Sequence, residues 1–549
     1  MKNKILPIIM SVSMALSVCA CGNEANRKGT SDSQPVTTST NEATSEKTTE
    51  SEVYVPTYPI VDEPMTLTWF HTLMNSNVIS SMDEQYCWQE VQKVTGIDIE
   101  WVHPAVGTEK ENINIAIASR DLPDIITWTW NSQTGGAAKM IEDEVIIPLN
   151  EYEEYMPNYM AWLEENELAN KSSRLDDGTL YGFSHIIADE SVTVTGGFML
   201  RKDWLEKLDL EVPNTIDEWY TVLKAFKEKD PNGNGIQDEI PFVCNKGAHF
   251  VHMATAFGVR SGFYVDKQGE VHYGPIEEGY REFLETMAKW YAEGLIDPEY
   301  VTNDTKNVNA KVLSDQAGSL YGSISSQLAS YIKQKEGTGF DLVAVKAPAD
   351  ENGVSHSSLD ARKQGVNGQT IAISSNCKNP IQAVQLIDYL FGEEGRMLTN
   401  WGKEGESYEI VNGKPQFTDF ILNNPDGLSA LDAIAKYAFP IYGYAGPFYM
   451  DSYAAINLQL PQQQQAVEEW SEESTELILP TLYPTDEETE IYTDVMTEVS
   501  TYRSEMFTKF IIGKEPLDKF DEYVETIKKY GIDDVIAVKQ AQYDRYIAK

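Results

Sequence analysis

The stretch from Met65 to Thr127 alternates two hydrophobic periods, and that alternation confines the chain to a small set of folds. Met65 to Phe70 places apolar residues at every second position, as a strand does, and Ile79 to Val94 follows with helical spacing. Ile97 to Val102 reads as a strand, Ile113 to Ala118 as a helix, and Asp124 to Thr127 as a short buried strand. Strands interleaved with helices pair in parallel and carry helices on the faces of the sheet. In such sheets ligands bind at the carboxyl ends of strands. The loops after Phe70 and after Thr127, with Trp69, His71, Trp128 and Trp130 in or beside them, are therefore candidate ligand contacts.

One core does not serve a chain of this length. Setting aside the polar N-terminal region leaves roughly 490 of 549 residues, which predicts two lobes. Asp176-Asp177-Gly178 is a turn signal, and the first crossing between lobes is predicted from there through Thr195-Gly196-Gly197 to a strand at Phe198 to Arg201. Ala317 to Tyr321 and Gln369 to Ile373 read as buried strands, with the return crossing predicted near Gln369 to Ser374. The expected N-terminal lobe is 61–188 plus about 372–438, and the C-terminal lobe 189–371 plus about 439–549. Thr215 and Glu218 make a capping box for a helix with Ile216, Trp219, Leu223 and Phe226 on its apolar face. Tyr280, Leu284, Met287 and Tyr291 mark a helix stopped by Gly294, and Pro380 opens another. A helical tail from about Asp486 carries Phe507, Phe510 and Ile511 on one face. No internal repeat is present.

The N-terminus predicts where the protein works. Lys2 and Lys4 precede an apolar run, Ile5 to Ala20, too short to span a bilayer comfortably and bounded by small residues, as in a secretory signal peptide. Val18-Cys19-Ala20-Cys21 resembles a bacterial lipobox, in which Cys21 is lipidated and becomes the new N-terminus. Two acyl chains anchor stably where one does not. The alternative is an ordinary signal peptide with incidental cysteines. The segment 21–60 is rich in Ser, Thr, Asn and Glu and reads as a disordered stalk, since it buries too little to offset its ordering entropy. Cys87, Cys244 and Cys377 are widely spaced and odd in number, which is no disulfide framework and fits export from a Gram-positive bacterium.

A net charge of −43 repels phosphate backbones and anionic headgroups, so nucleic acid and a peripheral membrane-binding face are both excluded as expected partners. Contact with the membrane is expected through the lipid alone, on its outer face, and the body is expected to be a monomer.

One loop carries metal chemistry. Asp230-Pro231-Asn232-Gly233-Asn234-Gly235-Ile236-Gln237-Asp238-Glu239 places oxygen-bearing side chains at the first, third, fifth, ninth and tenth positions and glycine at the sixth. Ca²⁺ takes six to eight oxygens from a tightly turned chain, and glycine permits the turn. Pro241 stands at the twelfth position, where an EF-hand has glutamate, so Glu239 must supply that contact from the tenth. The predicted ligands are the side chains of Asp230, Asn232, Asn234, Asp238 and Glu239 with the carbonyl of Ile236, in a structural role. A metal-free polar turn is the competing reading.

The same region carries a family resemblance. Arg201-Lys202-Asp203-Trp204-Leu205, Val212-Pro213-Asn214-Thr215 and the loop through Pro241 resemble the extracellular solute-binding lipoproteins of oligosaccharide ABC importers. Thr95-Gly96-Ile97, Asp121-Leu122-Pro123-Asp124, Glu293 to Pro298, Gly405 to Tyr408 and Tyr502 to Tyr546 extend the resemblance over nearly the whole mature chain. It implies a two-lobed periplasmic-binding-protein-like fold of type II, a cleft between lobes joined by crossing strands, a structural calcium in several members and an ABC permease as partner. It does not fix the sugar.

Sugar clefts need flat rings beside polar groups. Trp128 and Trp130 flank Thr129 and project to one side of an extended segment, either onto a ligand or into the lobe core. Trp69, Tyr321, Trp401 and Tyr408 are weaker candidates, and one of Tyr442, Tyr444 and Tyr449 is expected to line the cleft or a hinge, Tyr444 being chosen. His249 and His252 share a helical face but have no third ligand, and read as core or surface residues. No nucleophile elbow, zinc-protease motif or phosphate loop is present, so the expectation is a binding protein and not an enzyme. The competing enzymatic reading is a lipid-anchored glycoside hydrolase, whose carboxylate pair leaves no local signature.

Overall fold

Two sheets organise the described residues, and each is closed over by helices on both faces. A computed structural model of the protein describes residues 54–73, 78–187, 190–363, 366–439, 449–450 and 460–549. Its strands are β1 (Met65–Phe70), β2 (Ile97–Val102), β3 (Ile125–Trp128), β4 (Phe183–Ile187), β5 (Gly196–Arg201), β6 (Ile240–Phe242), β7 (Phe263–Val265), β8 (Val271–Tyr273), β9 (Ala317–Ser323), β10 (Leu342–Val345), β11 (Val366–Ile373), β12 (Tyr408–Val411), β13 (Lys414–Phe417) and β14 (Tyr449–Met450).

The first lobe is built on a sheet in the order β14-β4-β11-β3-β1-β2. β1 pairs in parallel with β2 from Met65 opposite Ile97 to Phe70 opposite Val102, and with β3 through Trp69 and Phe70. In β2 the side chains of Ile97 and Ile99 turn into the core while Asp98 and Glu100 face solvent, the period-two pattern of a half-buried strand. β3 lies inside the sheet and all four of its residues are buried. Pairing of β11 with both β3 and β4 is antiparallel, so the carboxyl ends of β1, β3 and β4 and the amino end of β11 share one edge.

The second lobe has the sheet order β10-β5-β9-β6. β5 runs antiparallel to β9, with Gly196 opposite Ser323, and β6 runs parallel to β9. The amino end of β5 therefore shares an edge with the carboxyl ends of β6, β9 and β10. Chain leaving β4 at Ile187 enters β5 at Gly196, and chain leaving β10 at Val345 returns to β11 at Val366. These connections place the strand carboxyl ends of both sheets at the crossings. The return lies ahead of Val366, earlier than the Gln369 to Ser374 expected from sequence, because β11 already hydrogen-bonds within the first sheet from Val366 onward.

Gly197 shows what the crossing demands. A Cβ added there would lie 2.3 Å from the ring of Trp470, which is fully buried and donates through Nε1 to the carbonyl of Val345 at 2.8 Å. Only the absent side chain lets the indole lie on the β5 backbone. Arg362 locks the same corner, giving Nη1 to the carbonyls of Trp470 and Glu473 and Nη2 to that of Ser471.

Local sequence signals account for the helices. Thr215 and Glu218 form the reciprocal capping box of helix Ile216–Glu228, which buries Trp219, Val222, Leu223 and Phe226. Helix Glu278–Ala292 buries Tyr280, Phe283, Leu284, Met287 and Trp290, and helix Pro380–Tyr389 carries its proline in the first turn. The helix expected over Ile79 to Val94 starts only at Tyr86. Ahead of it Gln85 sends its amide to the carbonyls of Ala435 and Ala438, and the Cys87 amide bonds Tyr437, so this chain is held by a neighbouring segment rather than by its own helix.

Helices Asp486–Ile511, Phe520–Lys529 and Ile532–Ala548 pack on the second lobe, where Val499, Phe510, Tyr523 and Val535 join its core. Their ends nevertheless touch the first lobe. Tyr483 enters that lobe's core beside Trp130 and Tyr181 and bonds the carbonyl of Ser172. Arg545 pairs with Asp176 at 2.5 Å and with Glu488 at 2.7 Å, and Lys549 donates to the carbonyl of Arg174. Among the described residues no helix is long and apolar enough to cross a membrane.

Candidate functional site

The edge of the first sheet that faces the crossings is aromatic. Trp69 is fully buried, stacked on Trp101 at 5.2 Å between ring centres, with its Nε1 donating to Thr127 Oγ1 at 2.9 Å. Trp130 is equally enclosed and donates Nε1 to the carbonyl of Thr370 at 3.1 Å. Trp401 packs in a separate small cluster with Tyr408 and Phe417. All three tryptophans are buried among core residues. Trp128, at the last position of β3, is the residue of this group nearest the surface at 9 % exposure, and its Nε1 has no partner. Tyr444 and Cys21 lie outside the described residues, as do Tyr442 and the stalk below Tyr54.

His71 follows β1 and is fully buried against Trp69, Trp101 and Phe439. Its Nδ1–H donates to the carbonyl of Thr72 at 2.8 Å, which leaves Nε2 an acceptor with no donor facing it. His103 accompanies it, giving Nδ1–H to the carbonyl of His71. Burial pushes the His71 imidazole down to about 4, with the neighbouring His103 acting in the same direction.

On the second lobe the crossing edge carries a different constellation. Tyr321, on β9 two residues before the Ser323 that faces Gly196, is half-buried. His252 lies over its ring at 4.3 Å and His249 at 5.7 Å, both from the 3₁₀ helix His249–Phe257 that follows β6. The Tyr321 hydroxyl meets Ser358 Oγ at 2.9 Å. Arg260 sits alongside and spends its guanidinium on the carbonyls of Ser357 and Ser358 and on Asp360 at 2.6 Å. Burial pushes His252 down to about 3, helped by His249 and Arg260. Of this group sequence reading selected Tyr321. The i,i+3 spacing of His249 and His252 was visible, but the ring they cover lies 69 residues further along.

The loop Asp230 to Glu239 folds as its oxygens require. Asp230 Oδ1 and Oδ2 accept from the amides of Gly233 and Gly235, Asn232 Oδ1 from Asn234, and Asn234 Oδ1 from Ile236. Gly233 and Gly235 take φ of 74° and 78°, the left-handed region that a tight loop needs. Asp238 collects the side-chain amides of Asn232, Asn234 and Gln316, the last a neighbour that sequence spacing did not reveal. Glu239 is buried, yet neither of its carboxylate oxygens has a hydrogen-bond partner. Burial, with Asp230 and Asp238 beside it, pushes its carboxyl up. The loop joins β6 at its amino end, away from the crossings. Asp266, Glu270 and His272 form a second tight cluster, but there Asp266 holds the turn amides and His272 bonds Glu277 and Asp266.

Residues 80–397 match the bacterial extracellular solute-binding proteins, and the chain belongs to that family. It is 26 % identical over 497 residues to a fructooligosaccharide ABC transporter substrate-binding protein, FusA, of Streptococcus pneumoniae, covering 85 % of this chain and 88 % of the relative. Lipoprotein LipO of Bacillus subtilis is 26 % identical over 376 residues, 66 % of this chain and 71 % of LipO. Among solved structures, the alginate-binding protein AlgQ2 without calcium ion superposes with a TM-score of 0.65 at 26 % identity, over 88 % of this chain and 99 % of that one. The two-lobed α/β fold is that of the solute-binding proteins.

The buried His71 predicts an acid-sensitive fold. Between the unfolded value near 6.5 and the folded value of about 4 the unfolded chain binds more protons, so stability present at neutral pH is lost as pH falls, by roughly 2 kcal/mol from this residue at pH 5. His71→Phe keeps an apolar ring without a titrating nitrogen, and its melting temperature should fall less than wild type between pH 7 and pH 5. Parallel curves for the two proteins would remove His71 as the cause.

Proposed function

We propose that this chain is the capture component of an ABC importer for oligosaccharides, binding the sugar between its lobes and presenting it to a membrane permease. The observation that carries the reading is the pair of ring-bearing edges, Trp128 on one sheet and Tyr321 with His252 on the other, set at the carboxyl ends of strands where the chain crosses. Sugar rings stack their C–H faces on such groups. The naming of FusA as a fructooligosaccharide transporter protein supports the ligand class, and relatives named for binding support capture rather than hydrolysis. Ligand that contacts both lobes favours the closed arrangement and shifts the population toward it. Calorimetric titration of the purified protein with an oligosaccharide panel tests this. The expected result is saturable binding on the order of micromolar, about −8 kcal/mol, with sugar recovered intact. Shortened products, or no binding across the panel, would overturn it.

Calcium in the Asp230 to Glu239 loop belongs to the same proposal. The buried, unpartnered carboxylate of Glu239 is what a hard cation would satisfy, with Asp230, Asn232, Asn234, Asp238 and the Ile236 carbonyl completing an oxygen set. A cation there fixes the amino ends of β6 and β9 and supplies no chemistry to a ligand at the opposite edge. Chelation should lower the melting temperature, and Glu239→Gln should melt higher than wild type when metal-free and gain nothing from Ca²⁺. Equal melting with and without Ca²⁺ in the wild type would dismiss the site.

Anchoring through Cys21 completes the reading, supported by the lipobox pattern and by a relative named as a lipoprotein. Cys21→Ala should move the protein from the membrane fraction to the medium with ligand affinity unchanged. Its retention in salt-washed membranes would point to another anchor.

A further inference from the structure

The hairpin β7–β8 holds a histidine whose two ring nitrogens both face carboxylates. Tyr264 and His272 are cross-strand partners with rings stacked at 5.1 Å, and together they grip Glu277. The Tyr264 hydroxyl donates to Oε2 of that carboxylate, and His272 Nδ1 lies 2.8 Å from Oε1. An ionised carboxylate only accepts, so Nδ1 carries a proton and a neutral imidazole presents the lone pair of Nε2 on its far side. That lone pair faces Asp266 Oδ2 at 3.3 Å. Asp266 spends its other oxygen, Oδ1, on the amides of Gln268 and Glu270, which fixes the turn and leaves Oδ2 for the ring. Glu270, at the other end of the turn, adds a third ligand: one atom each from Asp266, Glu270 and His272 lie within 4.8 Å of one another.

Two acceptors held face to face call for something positive between them. A proton on Nε2 is one solution, and a charge-assisted N–H···O bond then draws in to about 2.7–2.9 Å, the length found on the Glu277 side. The Asp266 side is longer. Two ligands held about 2.0–2.2 Å from Zn²⁺ in a tetrahedral arrangement stand about 3.3–3.5 Å apart, and the Nε2–Oδ2 separation falls there. A carboxylate on the distal nitrogen of a metal-bound imidazole fixes its tautomer and ring orientation, and Glu277, itself held by Tyr264, fills that place. Charge points the same way. Asp266, Glu270 and Glu277 gather three carboxylates around one imidazole, while Lys267 of the same turn is directed to Glu476 at 3.3 Å. The turn is held from outside by Gln540 of helix Ile532–Ala548, which accepts from the Val271 amide and donates to the Gly269 carbonyl. About a quarter of the Asp266 and His272 side chains stays exposed, so an ion has a way in. We propose that Asp266, Glu270 and His272 form a site for a borderline divalent cation such as Zn²⁺, with Glu277 as its positioning residue and water completing the shell. A nitrogen among the ligands suits Zn²⁺ better than Ca²⁺, which takes oxygen. This site is separate from the Asp230 to Glu239 loop and does not depend on the oligosaccharide-binding reading.

Calorimetric titration of Zn²⁺ into the purified, untagged protein at saturating Ca²⁺ tests the assignment. One equivalent should bind with micromolar Kd or tighter and raise the melting temperature, and Co²⁺ in its place should give the visible absorption of a four-coordinate ion. Glu277→Gln should weaken Zn²⁺ roughly ten- to hundredfold by loosening the ring, and Glu270→Gln, which removes a ligand, at least as much. Glu270 is exposed, so the metal-free melt of Glu270→Gln should match wild type. His272→Gln should abolish the binding. Glu239→Gln, altered in the other loop, should bind Zn²⁺ as wild type does. Binding that survives Glu270→Gln and is lost in Glu239→Gln puts the ion in the Asp230 to Glu239 loop and overturns the inference. Absence of binding at millimolar Zn²⁺ leaves a proton as what lies between His272 and Asp266, and overturns it equally. If His272→Gln melts early, the comparison of Glu270→Gln with wild type decides alone.

Discussion

The indole of Trp470 resting on the backbone of Gly197 is the contact on which the rest of the arrangement depends. It joins a helix from late in the chain, Pro461–Ser471, to the first residues of β5, and it ties to β10 through the carbonyl of Val345. The connection that enters β5 and the one that leaves β10 are thereby tied at one corner. Burying so large a ring contributes about 3 to 5 kcal/mol, judged from what large-to-small core truncations cost. The contact has no tolerance for a side chain at position 197, and a Cβ at Gly196 would meet the carbonyl of Gly322, so both glycines at the start of β5 are required by packing.

Much of the fold was legible because its signals are local. β1 and β2 begin and end where the alternation of Leu67 and Trp69, or of Ile97 and Ile99, begins and ends. The Thr215–Glu218 box is a four-residue device and behaves as one. What escaped is governed by partners distant in sequence. Residues 79–85 carry helical spacing but form only a 3₁₀ turn, with the Gln85 amide spent on the carbonyls of Ala435 and Ala438, and β11 enters its sheet earlier than its apolar run announces. The site divides in the same way. The loop from Asp230 to Glu239 is contiguous, so its turn and its pattern of oxygens could be read residue by residue. Whether a tryptophan faces a ligand or a core depends on what lies across from it, which spacing alone does not show: Trp69, Trp130 and Trp401 are buried, and His252 meets a ring 69 residues further along the chain.

Charge is distributed to match this division. Acidic side chains crowd the surface, where hydration and the occasional lysine absorb them, while burial keeps the imidazoles of His71, His185 and His252 below their ordinary range. Glu239 is one of the buried carboxylates, set beside Asp230 and Asp238 in the loop at the amino end of β6. A chain so acidic concentrates cations at its surface.

The last helices belong to the second lobe by their packing, yet they end on the first, through Tyr483, Arg545 and Lys549 against Ser172, Arg174 and Asp176. A rigid rotation leaves unmoved only the points on its axis. Any swing of one lobe over the other that preserves these contacts must have its axis pass close to them and close to the crossings at Gly196 and Val366, and two such places define a line. Where these contacts persist, the C-terminal residues restrict the first lobe at a place other than the crossings, as a second pivot restricts a door.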